Sequence, residues 1–571
     1  MGFSRYFTLA ALPAAGRVFA LGFIACSAAA RVYADAPAAS SAAVPADPAA
    51  ATVAAEIALQ HGDCRAAAEN YAAASAGAPA ALARRATEVA FDCENVPAAW
   101  SAVQNWLKAA PADREAGIVY ATVALKLYHT DDARTALAGA FRSGSPPSDA
   151  DLTGFLSALT QEADASAVLT AAGELLGTPQ ASPKLLTALA ALAISAYDFG
   201  RADHFVHAAL QKDPHSPEAL RAQARLAVLR GDADGAIRAA HEVMRADVTD
   251  GTFELAEVLA DLGRTKDARA ELERLRSTGD IVPGEIDRRL AILAFDSGDF
   301  TDAQKRFADL LDHGQAGDGA VFYLAQIAEN TGRKDAALAM YRRLADSSMG
   351  PQARLQAAGL LLDQNKRAEA FVLLDDAAGH DSHSTFELLL DKSHLLADHG
   401  DAEGAVALLD AGLYSYPQHP TLQYERATAL ERAGHTDESV QSFEQLLGLR
   451  PADPTVLNAL GYTLADHHLQ LPRAEKLIRK ALEVTPDSPA ALDSLGWVRV
   501  RRGDAHAAVP ILQHAYSLGQ DPDIAAHWGE ALWLVGSQTE ARKVWNDALA
   551  LHPDSTEIKS TLERLAPSGH H

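Results

Sequence analysis

The chain has 571 residues, of which 48% are apolar and only 6% aromatic, and it contains 50 Lys and Arg against 75 Asp and Glu. The formal net charge of −25 argues against binding to nucleic acid or anionic lipid through broad electrostatic attraction. The mean hydropathy is −0.07, and after residue 50 no apolar run approaches the roughly 20 residues that cross a bilayer. Any membrane contact is therefore expected at the N-terminus.

Residues 1–34 have the pattern of an export signal. Arg5 and Arg17 supply positive charge, and residues 18–25 form an apolar core that is too short to span a bilayer. Residues 23–26, FIAC, are similar to a bacterial lipobox, in which Cys26 is lipidated and becomes the mature N-terminus. This interpretation predicts an exported, periplasmic protein anchored to the outer membrane through Cys26. The alternative is cleavage after Ala34 and a soluble periplasmic protein.

Residues 35–51 are interpreted as a linker. Eleven of the sixteen residues from Asp35 to Ala50 are Ala or Pro, and no helical apolar period is visible there. Such a segment buries too little apolar surface to fold on its own. It would hold the folded body a short distance from the membrane.

Two cysteines remain when Cys26 is set aside. Cys64 and Cys93 form an even count in an exported chain, which suits a disulfide. Both fall near the inter-helix turns of adjacent predicted hairpins, so the pairing is geometrically feasible. The alternative is two small buried thiols.

A unit of about 34 residues is repeated along most of the chain. The 305 residues from Gly231 to Gly536 divide into nine nearly equal steps, a regularity typical of repeat architectures. Asn365 and Leu469 fill the two positions at which the turn glycine is missing. The recurring turn glycines are Gly231, Gly263, Gly298, Gly332, Gly400, Gly434, Gly503 and Gly536.

Each turn is followed by a small residue five positions later and by larger apolar residues at helical spacing. Gly332 is followed in this way by Ala337, Tyr341 and Leu344. Spacings of four and three place these side chains on one stripe of a helix, and a second apolar stripe precedes each turn. The repeat therefore predicts two amphipathic helices joined by a glycine turn.

The triplets Leu460-Gly461-Tyr462 and Leu495-Gly496-Trp497 lie on the helix before the turn, and with the turn glycines they give the sequence a resemblance to the tetratricopeptide repeat (TPR) family. The resemblance implies an all-α fold, a right-handed superhelical solenoid of about 11 to 15 helix-turn-helix hairpins with a C-terminal capping helix. We expect degenerate hairpins over residues 52–215, a regular array over 216–553, and a capping helix and tail over 554–571. The residues that carry the resemblance are Leu460-Gly461-Tyr462, Leu495-Gly496-Trp497, the turn glycines, Ala508, Ala541, Pro486 and Pro553.

No catalytic or metal-binding pattern emerges from the sequence. The histidine pairs, such as His204 and His207, have no third ligand at a recognisable zinc spacing. Neighbouring carboxylates such as Asp131 and Asp132 would point about 100° apart on a helix and could not face one scissile bond. The chain is therefore predicted to be no enzyme and to need no cofactor or metal.

The remaining chemistry is that of a binding surface. Stacked hairpins form a concave groove that holds peptides or partner domains. Tyr462 and Trp497 directly follow the packing glycines, so a core position is the alternative for both. The groove residues implied by the family pattern are Tyr424, Asn458, Tyr462, Asp493, Trp497, Arg501 and Trp533.

The layout as a whole resembles Gram-negative outer-membrane TPR lipoproteins, which include adaptors of a periplasmic carboxy-terminal processing protease. The resemblance lies in residues 457–466, 492–497 and 530–533. It implies a non-enzymatic adaptor whose partners are a processing protease and cell-wall hydrolases. One alternative is a structural assembly factor for polysaccharide export or for a secretin, and a minor alternative is an enzyme with an unrecognised site.

Overall fold

A computed structural model describes residues 47–142, 148–277, 283–315, 317–376, 382–553 and 555–566. The predicted export signal, Cys26 and residues 35–46 of the predicted linker lie outside the described residues. None of the helices in these ranges is both long and apolar enough to cross a membrane.

The described residues form 31 helices, α1 to α31, and no strands. Most begin at an Asp, Ser or Asn whose side chain accepts a hydrogen bond from a backbone amide of the first turn, as Asp232 does from Gly235. The helices are, in chain order, Pro48–Gln60, Cys64–Ala74, Ala80–Asp92, Val96–Ala109, Arg114–Lys126, Thr130–Arg142, Asp149–Glu162, Ala165–Leu176, Pro183–Ser195, Phe199–Lys212, Pro217–Leu229, Ala233–Ala246, Val248–Asp261, Thr265–Arg276, Pro283–Asp296, Phe300–Asp312, Asp318–Asn330, Lys334–Arg343, Gly350–Asp363, Arg367–Asp375, Ser382–Asp398, Ala402–Ser415, Pro420–Arg432, Thr436–Leu449, Pro454–Asp466, Leu471–Val484, Pro489–Arg501, Ala505–Gly519, Pro522–Leu534, Gln538–Leu551 and Thr556–Leu565.

The helices pair into consecutive hairpins. Each odd-numbered helix packs against the even-numbered helix that follows it, which makes fifteen hairpins from α1/α2 to α29/α30 within the described residues. Helix α31 packs against α29 and buries Ile558 completely. The predicted all-α solenoid of helical hairpins is confirmed, and the number of hairpins lies at the upper end of the predicted range.

The start of the array differs from the predicted linker. Helix α1 begins at Pro48, and the side chain of Asp47 accepts a hydrogen bond of 3.0 Å from the amide of Ala50. Ala51 and Ala55 are fully buried against the next helix. The boundary predicted at residue 51 was therefore too late, because alanine is a strong helix former and small side chains are enough for burial between closely packed helices.

The turns between the two helices of a hairpin use left-handed backbone. Gly332 has a φ of 77°, and Asn365 takes the same conformation with a φ of 59° at one of the two positions without glycine. At the other position His468 and Gln470 are left-handed, with φ of 55° and 42°. Leu469, the residue predicted for that role, lies between them because this turn is one residue longer than its neighbours.

Small residues allow the helices of a hairpin to approach closely. A Cβ atom on Gly529 would lie 2.0 Å from Nε1 of Trp545, which is fully buried. A Cβ atom on Gly496 would lie 2.4 Å from Cγ of Leu512 in the second helix of its hairpin. The low aromatic content of the chain follows from this packing, since close helix pairs leave room for few large side chains.

Candidate protein-binding groove

In the C-terminal hairpins the first helices lie on the inner side of the curved array. Consecutive first helices such as α25 and α27, or α27 and α29, are in direct contact. Consecutive second helices from α12 to α30 are more widely spaced within the described residues. In a curved stack the closer helices occupy the smaller radius, so the first helices form the concave face. Six of the seven predicted groove residues are on α23, α25 and α27, and the seventh is on α29.

Asp466, Trp497 and Arg501 form one cluster on this face. The indole Nε1 of Trp497 donates a hydrogen bond of 3.0 Å to Oδ1 of Asp466, and Nη2 of Arg501 donates one of 2.8 Å to the same oxygen. The Arg501 guanidinium lies 4.4 Å from the centre of the Trp497 ring. Burial favours protonation of Asp466, but the Arg501 and Trp497 hydrogen bonds outweigh it and hold its pKa below the ordinary value.

His527 and Asp493 form a second cluster beside the first. Nδ1 of His527 is 3.0 Å from both carboxylate oxygens of Asp493, and its ring stacks on Trp497 at a centroid distance of 4.0 Å. Burial opposes the charged imidazolium, yet the Asp493 carboxylate outweighs burial and raises the pKa of His527 above its ordinary value. His527 is not among the groove residues predicted from the sequence. The missed signal was its distance from Asp493, 34 residues, which is one repeat.

The structure divides the predicted groove residues into two groups. Asp493 and Trp497 are 6% and 4% exposed, and their polar atoms bond to neighbouring hairpins, so they join repeats rather than offer free groove contacts. This corrects their prediction as groove contacts: the close packing of α25, α27 and α29 covers both side chains. The residues that remain partly exposed are Tyr424, Asn458, Tyr462, Arg501 and Trp533.

The first helices are more acidic than the second helices. From α11 to α30, the ten first helices contain 20 Asp and Glu against 10 Lys and Arg, a net charge of −10, and the ten second helices contain 20 against 18, a net charge of −2. On α13, burial and the nearby carboxylate of Glu257 raise the pKa of Glu254 to about 7. The described residues contain no group of three or more His, Cys, Asp or Glu side chains arranged to hold a metal ion.

Three stretches of the chain match the tetratricopeptide repeat family, at residues 288–354, 390–454 and 424–489. A TPR repeat-containing protein of Pseudomonas aeruginosa is 32% identical over 215 residues. That alignment covers 37% of this chain and 36% of the relative, so the chain spans about a third of the length of the protein it matches.

Two solved structures are similar in part. A thermophilic TPR protein of Thermus thermophilus is 19% identical with a TM-score of 0.30, over 32% of this chain and 98% of that one. The APC/C hetero-tetramer Cut9-Hcn1 gives 15% identity and a TM-score of 0.30, over 86% of this chain and 96% of that one. The helical hairpins define the class, a solenoid of helical repeats. Over residues 288–354 and 390–489 the repeat matches the tetratricopeptide repeat, and the described residues as a whole form an all-α solenoid of helical hairpins of this type.

Proposed function

We propose that this chain is a non-enzymatic scaffold that binds a protein partner along the concave face of its C-terminal hairpins. TPR arrays are protein-interaction scaffolds, and the observation that carries the proposal is the set of partly exposed side chains on α23 to α29. Tyr424, Tyr462 and Trp533 offer rigid contact area there, while Asn458 and Arg501 offer hydrogen bonds.

The rigidity of this face favours binding. Arg501 is held by Asp466 at 2.8 Å and by the Trp497 ring, so it loses little side-chain freedom when a partner arrives. The excess of carboxylates lies mainly on α13 to α21, whose first helices contain 13 Asp and Glu against 4 Lys and Arg, whereas the first helices from α23 to α29 contain 6 against 4. A partner segment that bears Lys or Arg and extends onto α13 to α21 matches this charge, and an acidic segment is repelled there.

We further propose that the scaffold is exported to the periplasm, is anchored to the outer membrane through Cys26, and recruits a processing protease or cell-wall enzyme with its substrates. The motif resemblance and the lipobox-like residues 23–26 support this. The disulfide between Cys64 and Cys93 also supports it, because disulfides persist in oxidising compartments such as the bacterial periplasm.

Site-specific photocrosslinking in cells tests the binding face. A photoreactive amino acid replaces Asn458 on the concave face, and in a matched strain it replaces Lys480, which is exposed on the second helix of the same hairpin. We expect an envelope protease or hydrolase to be captured from position 458 and not from position 480. Capture of the same proteins at both positions, or of ribosomal proteins only, would contradict the proposal.

Labelling with a radioactive fatty acid tests the anchor separately. We expect the wild-type chain to incorporate the label and the Cys26→Ala variant to lose it. An unlabelled wild-type chain that is found in the soluble periplasm would show cleavage after Ala34 instead.

A further inference from the structure

The N-terminal hairpins touch the C-terminal half of the chain across a line of contacts that we call the seam. Each contact joins residues about nine to ten repeats apart, so one turn of the superhelix lies directly against the next. Among the described residues the seam includes these pairs: Arg65 with Tyr414, Glu94 with His419, Tyr128 with Arg450, and Asp487 with both Tyr197 and Phe199.

The pairs at the two ends of the seam use directed hydrogen bonds. Nη1 of Arg65 donates to the carbonyl of Tyr414 at 2.9 Å, and its guanidinium lies 5.1 Å from the Tyr414 ring centre. At the other end the amide of Asp487 donates to the carbonyl of Tyr197 at 2.9 Å. The amide of Phe199 in turn donates to Oδ2 of Asp487 at 2.9 Å.

The centre of the seam is buried. His419 and Tyr128 are 6% and 2% exposed, and Nε2 of His419 lies 3.7 Å from Oε2 of Glu94. The Arg450 guanidinium lies 4.6 Å from the centre of the Tyr128 ring and pairs with Asp453 at 3.1 Å. Tyr128 also belongs to the core of its own hairpins, and His419 packs on Phe386 at a centroid distance of 4.4 Å, so the seam joins side chains that each turn already holds in place.

The turns of the N-terminal hairpins depart from the repeat pattern where they meet the seam. Glu94, Tyr128 and Tyr197 stand at the left-handed turn position, with φ of 51°, 55° and 50°, where most regular hairpins have glycine. A side chain in this conformation is strained, and at these three positions the turn makes a seam contact. These repeats therefore lack the turn glycine at the positions where the turn residue contacts the next turn of the superhelix.

The disulfide lies at one end of the seam. Cys64 directly precedes Arg65, and Cys93 directly precedes Glu94. The bond between the two cysteines holds their Cα atoms 5.2 Å apart and so ties the start of α2 to the end of α3. Two seam residues from different hairpins are thereby held side by side, facing Tyr414 and His419.

We propose that the Cys64–Cys93 disulfide is a redox latch that keeps the superhelix closed. Reduction by a dithiol supplies two electrons and two protons, breaks the Sγ–Sγ bond, leaves two thiols, and converts the dithiol into its cyclic disulfide. Arg65 and Glu94 then lose their covalent link and are held together only by the apolar packing of α2 against α3, so the seam opens more readily from this end. The closure concerns this chain alone and does not depend on which partner binds the concave face.

The rate at which diethyl pyrocarbonate modifies His419 reports whether the seam is closed or open. In the oxidised chain we expect slow modification of His419, and after dithiol treatment we expect a rise of roughly tenfold. His394, whose side chain is 51% exposed, serves as the internal reference and should react equally in both states. The Cys64→Ser/Cys93→Ser double variant should show fast modification with or without the dithiol.

A second variant opens the seam without touching the cysteines. Asp487→Lys removes the acceptor of the Phe199 amide, and we expect a larger radius of gyration by small-angle X-ray scattering with unchanged helix content by circular dichroism. Arg84→Ala, which removes an ion pair between adjacent hairpins at 2.8 Å, is the matched control and should leave the radius unchanged. If oxidised and reduced chains have equal His419 reactivity and equal scattering, the latch does not exist.

Discussion

His527 lies one repeat after Asp493 and places Nδ1 at 3.0 Å from both oxygens of its carboxylate. The same offset of 34 residues joins Arg432 to Asp398 and Arg564 to Glu530. In each pair a basic side chain contacts an acidic one on an earlier hairpin, so charge pairing along the inner helices reinforces the apolar stacking.

The Asp493–His527 pair should make stability depend on pH. The pKa of His527 is raised in the folded chain. The pair therefore adds its full share to the free energy of unfolding below the pKa of about 6.5 that histidine has in the unfolded chain, and this share is lost as the pH rises through the higher pKa of the folded chain. Asp466 and Asp523 also face this imidazole and favour its charged form. We expect His527→Gln to cost about 1–3 kcal/mol at pH 5.5 and less at pH 8.5, by urea unfolding.

His506 provides the control for this experiment because its side chain is exposed on α28. His506→Gln should change the free energy of unfolding by less than about 0.5 kcal/mol at both pH values. A His527→Gln cost that is equal at pH 5.5 and pH 8.5 would contradict a role for the charged pair.

Gly529 should not tolerate a methyl group. Its Cβ would lie 2.0 Å from Nε1 of the fully buried Trp545, so Gly529→Ala should destabilise the chain by about 1–3 kcal/mol in thermal or urea unfolding. Gly154 is the matched control, since it lies inside α7 and a Cβ added there would have nothing within 4 Å. Gly154→Ala should be neutral or stabilising by up to about 1 kcal/mol, and equal effects at both sites would refute the packing argument.

Glu475 should be an anchor of the hairpin α25/α26 against α27. Its carboxylate accepts hydrogen bonds from Arg479 at 2.9 Å and from Arg499 at 2.6 Å, and it also contacts Arg502. Only 10% of its side chain is exposed, so Glu475→Gln should cost about 1–3 kcal/mol. Burial alone would raise the pKa of Glu475, but the arginines outweigh burial and hold this pKa below its ordinary value. The contribution of Glu475 to the free energy of unfolding should therefore be lost only as the pH falls through the lowered pKa.

Glu444 offers a surface pair for comparison, 2.7 Å from Arg473 and 43% exposed. Glu444→Gln should cost at most about 1 kcal/mol at pH 7. If the two substitutions prove equal in urea unfolding, the three-arginine cluster contributes no more than a surface ion pair.

Glu254 should reduce stability near neutral pH. Burial and the nearby Glu257 raise its pKa to about 7, so the folded chain loses stability as pH rises from the unfolded value near 4.5 through 7. Replacement by Gln removes the charge, and Glu254→Gln should gain about 1–2 kcal/mol at pH 8 and little at pH 4.5. The measurement is urea unfolding at both pH values, and a destabilised variant at pH 8 would show that the ion pair with Arg221 at 3.4 Å dominates.

Much of the fold could be predicted from sequence because its determinants are local. The turn conformation at Gly332 and the close approach at Gly496 depend on residues within one hairpin, and a hairpin recurs every 34 residues or so. The start of α1 was missed for a related reason. An Ala-rich segment has no visible apolar stripe, although Ala51 and Ala55 are buried once a closely packed neighbour is present.

The sequence by itself determined the repeat and the hairpin, since spacing along one helix decides both. Only the tertiary structure decided that Trp497 is covered by His527 and that Tyr128 meets Arg450. These contacts depend on the small rotation and translation between successive hairpins. These rotations and translations add up over about nine to ten repeats before distant hairpins come into contact. No local sequence pattern encodes their sum.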